Sequence, residues 1–232
     1  MTIKKAMILG AGFGKRMLPL TTKIPKPLIK IGPKNLLERS IEILIKIGID
    51  EIIINTHYLS KEIDNFIGNK NYQISISTIK EEVLLDTGGG ILNATKNFKD
   101  KPFFVLNPDT IWNKNYYEEL KILENSYLKN NKPILLLVNK INSYDKSFKG
   151  DFNFTENNSI TRAASNHYIF TGAQIINRSI FKTINKKIFS MNLIWDNMIK
   201  EKKLLGQESS QTFFHVNNFK VYEQLNKLKF ID

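Results

Sequence analysis

The 232-residue chain has no cysteine, which rules out a disulfide frame, a zinc ribbon or other thiolate metal site, and a cysteine nucleophile. Nothing in it asks for an oxidising compartment. Histidine is scarce, with three in all, and neither His57 nor His167 has the carboxylate partner that would turn a lone ring toward chemistry. No apolar run approaches the roughly 18–20 residues of a membrane span. The opening MTIKKAMILGAGFG ends in glycines and cations rather than a cleavage site, so it reads as a strand, and the expectation is a cytoplasmic protein with no membrane partner. Repeats, low-complexity linkers and blocks of five consecutive cations are absent. So are a basic helix and an aromatic RNA-binding motif, which argues against a specific nucleic-acid partner.

The charge balance is less telling than it looks. Lys plus Arg is 34 against 22 acidic residues, a formal net charge of +12, which suits an anionic partner. The lysines are nevertheless scattered among Asn and Ile along the whole chain, a compositional bias rather than a patch. With 42% hydrophobic and 24% charged residues the composition is that of a folded globular protein, and the length is within reach of one domain over residues 1–232.

Short β-branched runs recur as KAMIL, EIIINT, YQISISTI, FFVL, PILLLV and YIFTGAQIIN, with helical spacing between several of them. Asn35 with Glu38 three places on predicts a helix start, the Leu37, Ile41, Leu44 and Ile45 stripe gives its buried face, and Gly48 ends it. A second helix runs from Ser60 to Gly68, and a third opens at Gly88–Gly90. The Asn-Asn-Ser cluster in GDFNFTENNSITRA predicts a hairpin. Two more helices are expected in SMNLIWDNMIKEKKLL and FKVYEQLNKLKF. The fold class is therefore α/β, a Rossmann-like, mostly parallel central sheet flanked by helices, with a more antiparallel C-terminal portion.

The stretch from Leu9 to Gly32 holds four glycines, three prolines and five basic residues. Gly10, Gly12 and Gly14 follow a predicted strand, where such sheets place ligand loops. Both familiar phosphate motifs fail here. The dinucleotide fingerprint needs a third glycine where Lys15 stands, and the P-loop needs a hydroxyl where Arg16 stands. The physics survives: bare backbone N–H groups can turn toward an anion, and Lys15 and Arg16 add charge. Pro19, Pro25 and Pro27 suggest a stiff extended path presenting Thr21, Thr22, Lys23 and Lys26.

Taken whole, GAGFGKRMLPLTTKIPKPL resembles the signature of the sugar-1-phosphate nucleotidyltransferases. LDTGGGI, LNPDT, GDF and FTGAQI follow in the order of that family's later motifs. Within the family, the glycine triplet after an acidic residue, the short chain and GDF look most like the uridylyltransferases of N-acetylmuramate 1-phosphate. The guanylyltransferases of mannose or heptose 1-phosphate share much of the pattern.

The resemblance implies transfer of a nucleoside monophosphate, UTP favoured as donor, to a sugar 1-phosphate. Arg16 and Lys26 would handle phosphates, and Asp109 would be the first ligand of Mg²⁺. Gly10, Ala11, Gly12, Gly14, Lys15, Thr87, Gly88 and Gly89 would hold the nucleotide, and Asn107, Asp151, Thr171 and Gly172 the sugar. In FFHVNN, His215 stands where a second carboxylate ligand is expected. His215 is a candidate second metal ligand, though a neutral imidazole is softer and suits Mg²⁺ less; either it orients a metal-bound water or phosphate, or one metal ion suffices. That departure, with Pro108 for glycine in LNPDT, also motivates a non-catalytic nucleotide-sugar-binding paralogue. Glu81 and Glu82 read as a solvated pair, and Trp112 and Trp195 as core.

Overall fold

The structure is a computed structural model and describes residues 2–228. In chain order its strands and helices are β1 (Lys5–Leu9), β2 (Lys30–Ile31), β3 (Lys34–Asn35), α1 (Leu36–Lys46), β4 (Glu51–Thr56), α2 (Ser60–Gly68), β5 (Ser75–Lys80), α3 (Asp86–Ala94) and β6 (Phe103–Leu106). There follow α4 (Tyr116–Asn130), β7 (Ile134–Asn139), β8 (Asn153–Phe154), β9 (Ile160–Thr161), β10 (Tyr168–Ile176), α5 (Met191–Lys200), β11 (Leu205–Ser209) and α6 (Phe219–Asn226). The main sheet has seven strands in the order β11-β7-β10-β6-β1-β4-β5. Every pairing is parallel except those of β10, which runs antiparallel to both β6 and β7. The expected antiparallel portion is thus one strand plus the β8–β9 ribbon.

The central strands alternate, and each face finds its own helices. Ile8, Ile52, Ile54, Phe104 and Leu106 pack with Leu37, Ile41 and Leu44 of α1, Ile63 of α2 and Leu120 of α4. Met7, Ile53, Phe103 and Val105 point the other way, to Ile91 of α3 and to Ile194 and Trp195 of α5. The α1 start is as its sequence predicts: the Asn35 side chain accepts from the Glu38 amide at 2.7 Å, and Gly48 turns at φ +97.

Two elements depart from the sequence expectation. Helix α5 stops at Lys200 instead of running through Leu204 and Leu205, because those two leucines are buried and Leu205 opens β11, paired in parallel with β7. A Cβ on Gly206 would lie 2.7 Å from side-chain atoms of Ile160 and Phe154, so this bare edge strand lets the β8–β9 ribbon pack close. Helix α4, with its weaker stripe, has no counterpart among the helices read from sequence. The last residues of FKVYEQLNKLKF lie outside the described residues.

Strand β1 is central, with β4 and then β5 on one side and β6 on the other. The chain reverses direction across the sheet between β1 and β6, and their carboxyl ends leave a crevice of the kind that takes ligands in open α/β sheets. Phe104, fully buried beside β1, tests this packing. Phe104→Ala is expected to cost about 3–5 kcal/mol, read as a lower urea midpoint with an unchanged denaturant slope.

Candidate active site

The loop leaving β1 is shaped by close approaches. The Gly10 amide donates to the Asn55 backbone oxygen at 3.1 Å and to Asn55 Oδ1 at 3.0 Å, and a Cβ there would sit 2.8 Å from that backbone oxygen. Gly14 adopts φ +64 with Thr21 and Lys26 packed against it. Gly12 is different. A Cβ there would meet no atom of the chain within 4 Å, and its φ is not positive, so nothing within the protein requires it to be bare.

The proline-rich continuation is not extended. It folds into three short 3-10 turns, at residues 15–17, 20–22 and 26–28. Thr21 is turned inward, buried, with its hydroxyl donating to the Gly14 oxygen at 3.0 Å, so it braces the loop rather than being presented. Met17, Ile29 and Ile31 anchor the segment in a cluster with Ile111, Val216 and Val221, which fixes the loop to α6.

A cavity of about 560 Å³ opens at the carboxyl ends of β1, β4 and β6, and its wall includes Gly10, Ala11, Gly12, Gly14, Lys15, Arg16, Lys26, Thr87, Asn107 and Asp109. Lys26 Nζ lies 2.7 Å from Asp109 Oδ2. Burial alone would raise the Asp109 carboxyl, but His215 and Lys26 beside it, with the hydrogen bond from Lys26, outweigh that and hold it below the usual carboxylate range. His215 Nε2 is 3.6 Å from the same oxygen. The ring is pushed down by burial first, against the pull of Asp109, with Lys26 and Arg16 adding to the depression. The ring stacks on Phe213 at 5.5 Å and is not among the residues lining the cavity.

A divalent cation fits this arrangement through Asp109. Its Oδ1 is buried with no hydrogen-bond partner, leaving lone pairs for a hard cation that takes one or two carboxylates and completes its shell with water and substrate phosphates. Among the described residues no group of three or more His, Cys, Asp or Glu converges on one point, so no all-protein cage is present.

A second cavity, about 250 Å³, adjoins the first, and Leu9, Thr87 and Asn107 line both. Its wall carries Asp151, Arg162, Gln174, Asn192 and Trp195. Asp151 accepts from the Phe170 amide at 2.9 Å, and burial raises its carboxyl despite that bond and the nearby Arg162. Arg162 lies over the Phe152 ring at 4.7 Å, and bonds Asp196 at 2.8 Å and Asn192 at 2.6 Å.

Several expected site residues serve from behind. Thr171 is fully buried, donates its hydroxyl to the Leu136 oxygen at 2.8 Å and accepts from the Thr110 hydroxyl at its backbone oxygen. Gly172, at φ +94, lies so close to Asn107 that a Cβ would be 2.8 Å from the Asn107 Cβ, and its oxygen accepts from the Asn107 amide at 2.8 Å. Gly172 holds Asn107, Thr171 braces Thr110, and both line neither cavity. Gly88 and Gly89 also line neither cavity. A Cβ on Gly88 would strike the Phe189 ring at 2.4 Å, and one on Gly89 the Lys187 oxygen at 2.2 Å. The triplet is bare so that the segment before α5 can lie across it, with the Gly89 amide donating to the Phe189 oxygen at 3.0 Å.

Sequence reasoning passed over others. Glu81 is not solvated but buried at 3% exposure, and it lines the larger cavity with Asn55; its sequence neighbour Glu82 is exposed. Nothing in EIIINTHY or KEEVLL marks either residue, because their meeting depends on β4 and β5 pairing in register. Trp195 is core on one side and cavity wall on the other. Its Nε1 donates to Gln174 at 3.2 Å.

Fold and site together define a doubly wound α/β protein with a cationic glycine-rich loop and a lone metal-type carboxylate at the switch point of its sheet. Residues 5–143 match the nucleotidyl transferase family, and the chain belongs to that family. It is 38% identical over 110 residues to the mannose-1-phosphate guanylyltransferase catalytic subunit beta of Dictyostelium discoideum, covering 46% of this chain and 31% of that one. To the N-acetylmuramate alpha-1-phosphate uridylyltransferase of Neisseria meningitidis serogroup B it is 38% identical over 109 residues, covering 46% and 47%. The matched stretch therefore spans less than half the length of either curated relative. Among solved structures, HddC from Yersinia pseudotuberculosis superposes with a TM-score of 0.77 at 22% identity, over 97% of this chain and 99% of that chain. A UDP-glucose pyrophosphorylase complexed with UDP-glucose gives 0.77 at 17% identity, over 97% of each. These likenesses show the fold.

The Lys26–Asp109 pair makes a pH-dependent prediction. Because the Asp109 pKa is lowered on folding, its stabilisation is present above the unfolded value, 3.8, and is lost as pH falls through the folded one. Lys26→Met removes one counter-charge and the hydrogen bond it makes, so burial weighs more and the Asp109 pKa rises. Urea denaturation should show the variant less stable than wild type at pH 7, with the gap closing as pH falls toward 3.

Proposed function

We propose that the chain transfers a nucleoside monophosphate from a nucleoside triphosphate to a sugar 1-phosphate, releasing pyrophosphate, with UTP and N-acetylmuramate 1-phosphate as the favoured pair. The observation that carries this is the adjoining of two unlike cavities, one walled by Lys15, Arg16, Lys26 and Asp109, the other by Asp151, Arg162, Gln174 and Asn192, across Leu9, Thr87 and Asn107. A transfer between two bound molecules needs such a shared boundary.

In the reaction a sugar-phosphate oxygen bonds to the α-phosphorus, and the bond to the pyrophosphate oxygen breaks with that oxygen taking the electron pair. The nucleophile is already an anion, so charge control dominates over proton transfer. Arg16 and Lys15 stand at the cavity wall to hold the triphosphate, and Lys26, on the same loop, meets the α-phosphate and the incoming phosphate. Mg²⁺, held by Asp109, would supply neutralisation of the phosphate oxygens when bound. Asn107 and Asp151 would accept or donate to sugar hydroxyls, and Arg162 supports an acceptor bearing a carboxylate, as N-acetylmuramate does.

The relatives also favour a second reading. The proteins from Dictyostelium discoideum and Aneurinibacillus thermoaerophilus are named as guanylyltransferases of mannose 1-phosphate and of a heptose 1-phosphate. The deciding measurement is pyrophosphate release with Mg²⁺ across the four ribonucleoside triphosphates and a panel of sugar 1-phosphates. Release confined to UTP and N-acetylmuramate 1-phosphate supports the first reading, and a GTP preference replaces it with the second. Nucleotide binding without any turnover would favour a regulatory paralogue, the reading that His215 and Pro108 motivate.

Two variants sharpen the test. Asp109→Ala should lower turnover by about 10²-fold or more, the scale of a lost transition-state charge stabiliser, while circular dichroism stays native. Gly12→Ala meets nothing in the chain, so its stability should stay within about 0.5 kcal/mol of wild type while nucleotide binding by calorimetry weakens.

A further inference from the structure

Four segments meet at one buried point on the floor of the larger cavity. Asn55, at the end of β4, accepts from the Gly10 amide through Oδ1 at 3.0 Å and donates through Nδ2 to Glu81 Oε1 at 2.7 Å. Glu81, just beyond β5, uses its other oxygen to accept from the Leu85 amide at 3.0 Å, one residue before α3. The two side chains are 2% and 3% exposed. Gly90 makes room for them, since a Cβ there would come within 2.8 Å of both Asn55 Nδ2 and Glu81 Oε1. Among the described residues no ion pair involves Glu81, so its carboxylate is held by N–H donors alone.

We propose that Asn55 and Glu81 are a positioning pair that fixes the glycine loop relative to the start of α3, and so sets the distance between the two walls that grip the nucleotide. This rests on the nucleotide-site reading above, and it makes a claim of its own: what matters at these positions is the directed chain of hydrogen bonds, not the place of the negative charge. The bonds run from the Gly10 N–H to Asn55 Oδ1, from Asn55 Nδ2–H to Glu81 Oε1, and from the Leu85 N–H to Glu81 Oε2. All the donors must find acceptors, because an orphaned buried N–H or carboxylate lone pair is costly.

This logic allows the charge to be moved without breaking the chain. Glu81→Gln alone turns an amide N–H₂ toward one of two N–H donors. Asn55→Asp alone sets a carboxylate against the Glu81 carboxylate. Combined, the two substitutions restore every bond. The carboxylate now at position 55 accepts from the Gly10 amide and from the side-chain amide now at position 81, whose carbonyl oxygen accepts from the Leu85 amide. The pair therefore predicts that each single variant loses about tenfold or more in nucleotide affinity, the scale of one buried hydrogen-bond defect, and that the double variant N55D/E81Q recovers most of it.

The test measures the dissociation constants of UTP and of GTP by calorimetry, with the thermal midpoint of each variant, and turnover where wild type shows it. Singles that weaken binding, with the double recovering to within about threefold, support the pair. Singles without effect overturn it. A double that is as stable as wild type yet fails to bind also overturns it, and assigns the carboxylate itself to ligand contact. Because binding is the readout, a wild type that binds but does not turn over would sink the transferase reading while leaving this proposal judged. Gly90→Ala, which crowds both side chains, gives a second route to the same defect should either single variant fold poorly.

Discussion

The ion pair between Lys26 and Asp109, 2.7 Å apart, ties the loop leaving β1 to the loop leaving β6 across the switch point of the sheet. Each partner alone is a poor proposition. A carboxylate this enclosed is driven toward protonation, and an ammonium on a loop bounded by prolines has nothing to hold it over the crevice. Together they stay charged, and the contact closes the carboxyl edge of β1 and β6 into a walled cavity. His215, enclosed and stacked on Phe213, lies 3.6 Å from the same carboxylate oxygen. Much of the local chemistry follows from which partner Asp109 keeps.

How far this was legible in sequence depends on whether a feature is local. The strands KAMIL, EIIINT and FFVL, the Asn35 cap and the Gly48 stop were readable because periodicity and capping act within a few residues. The glycine loop, Arg16, Lys26 and Asp109 were readable from a resemblance spanning contiguous motifs, and the structure brings those three side chains to the wall of one cavity. Strand β11 has no counterpart in the sequence reading, whose expected helix ends at its first residue, because LGQES carries neither alternation nor β-branching; only its pairing with β7 makes it a strand. Helix α4 was missed because its stripe is interrupted by buried acids, Glu119 and Glu124, which are satisfied by partners far away in sequence.

The same division explains the glycines. Gly10, Gly14, Gly88, Gly89, Gly90 and Gly172 are each demanded by another part of the chain, a backbone oxygen, a ring, a side-chain amide or an aliphatic side-chain carbon. None of those neighbours is adjacent in sequence, so a glycine that packs and a glycine that admits a ligand look alike on the page. The structure separates them by asking what a methyl group would meet. Six meet protein. Of the glycines on the wall of the larger cavity, Gly12 alone meets nothing, and that makes it the position there whose bareness points outward.

The distribution of charge around that cavity gives the argument its direction. The net charge of +12 is spread over the molecule and selects no partner, but the cavity wall is ordered: Lys15, Arg16 and Lys26 all come from the loop after β1, whereas Glu81 and Asp86 come from the turn into α3. A ligand with a polyanionic end and an uncharged end is favoured one way along such a wall, because phosphates brought against Glu81 and Asp86 would meet like charge. On the proposed function, the phosphate end would then lie beside Asp109 and Asn107, at the boundary with the second cavity. On that function the loop cations would do more than attract an anion; with the acidic turn opposite, they would set which end of it faces the neighbouring site.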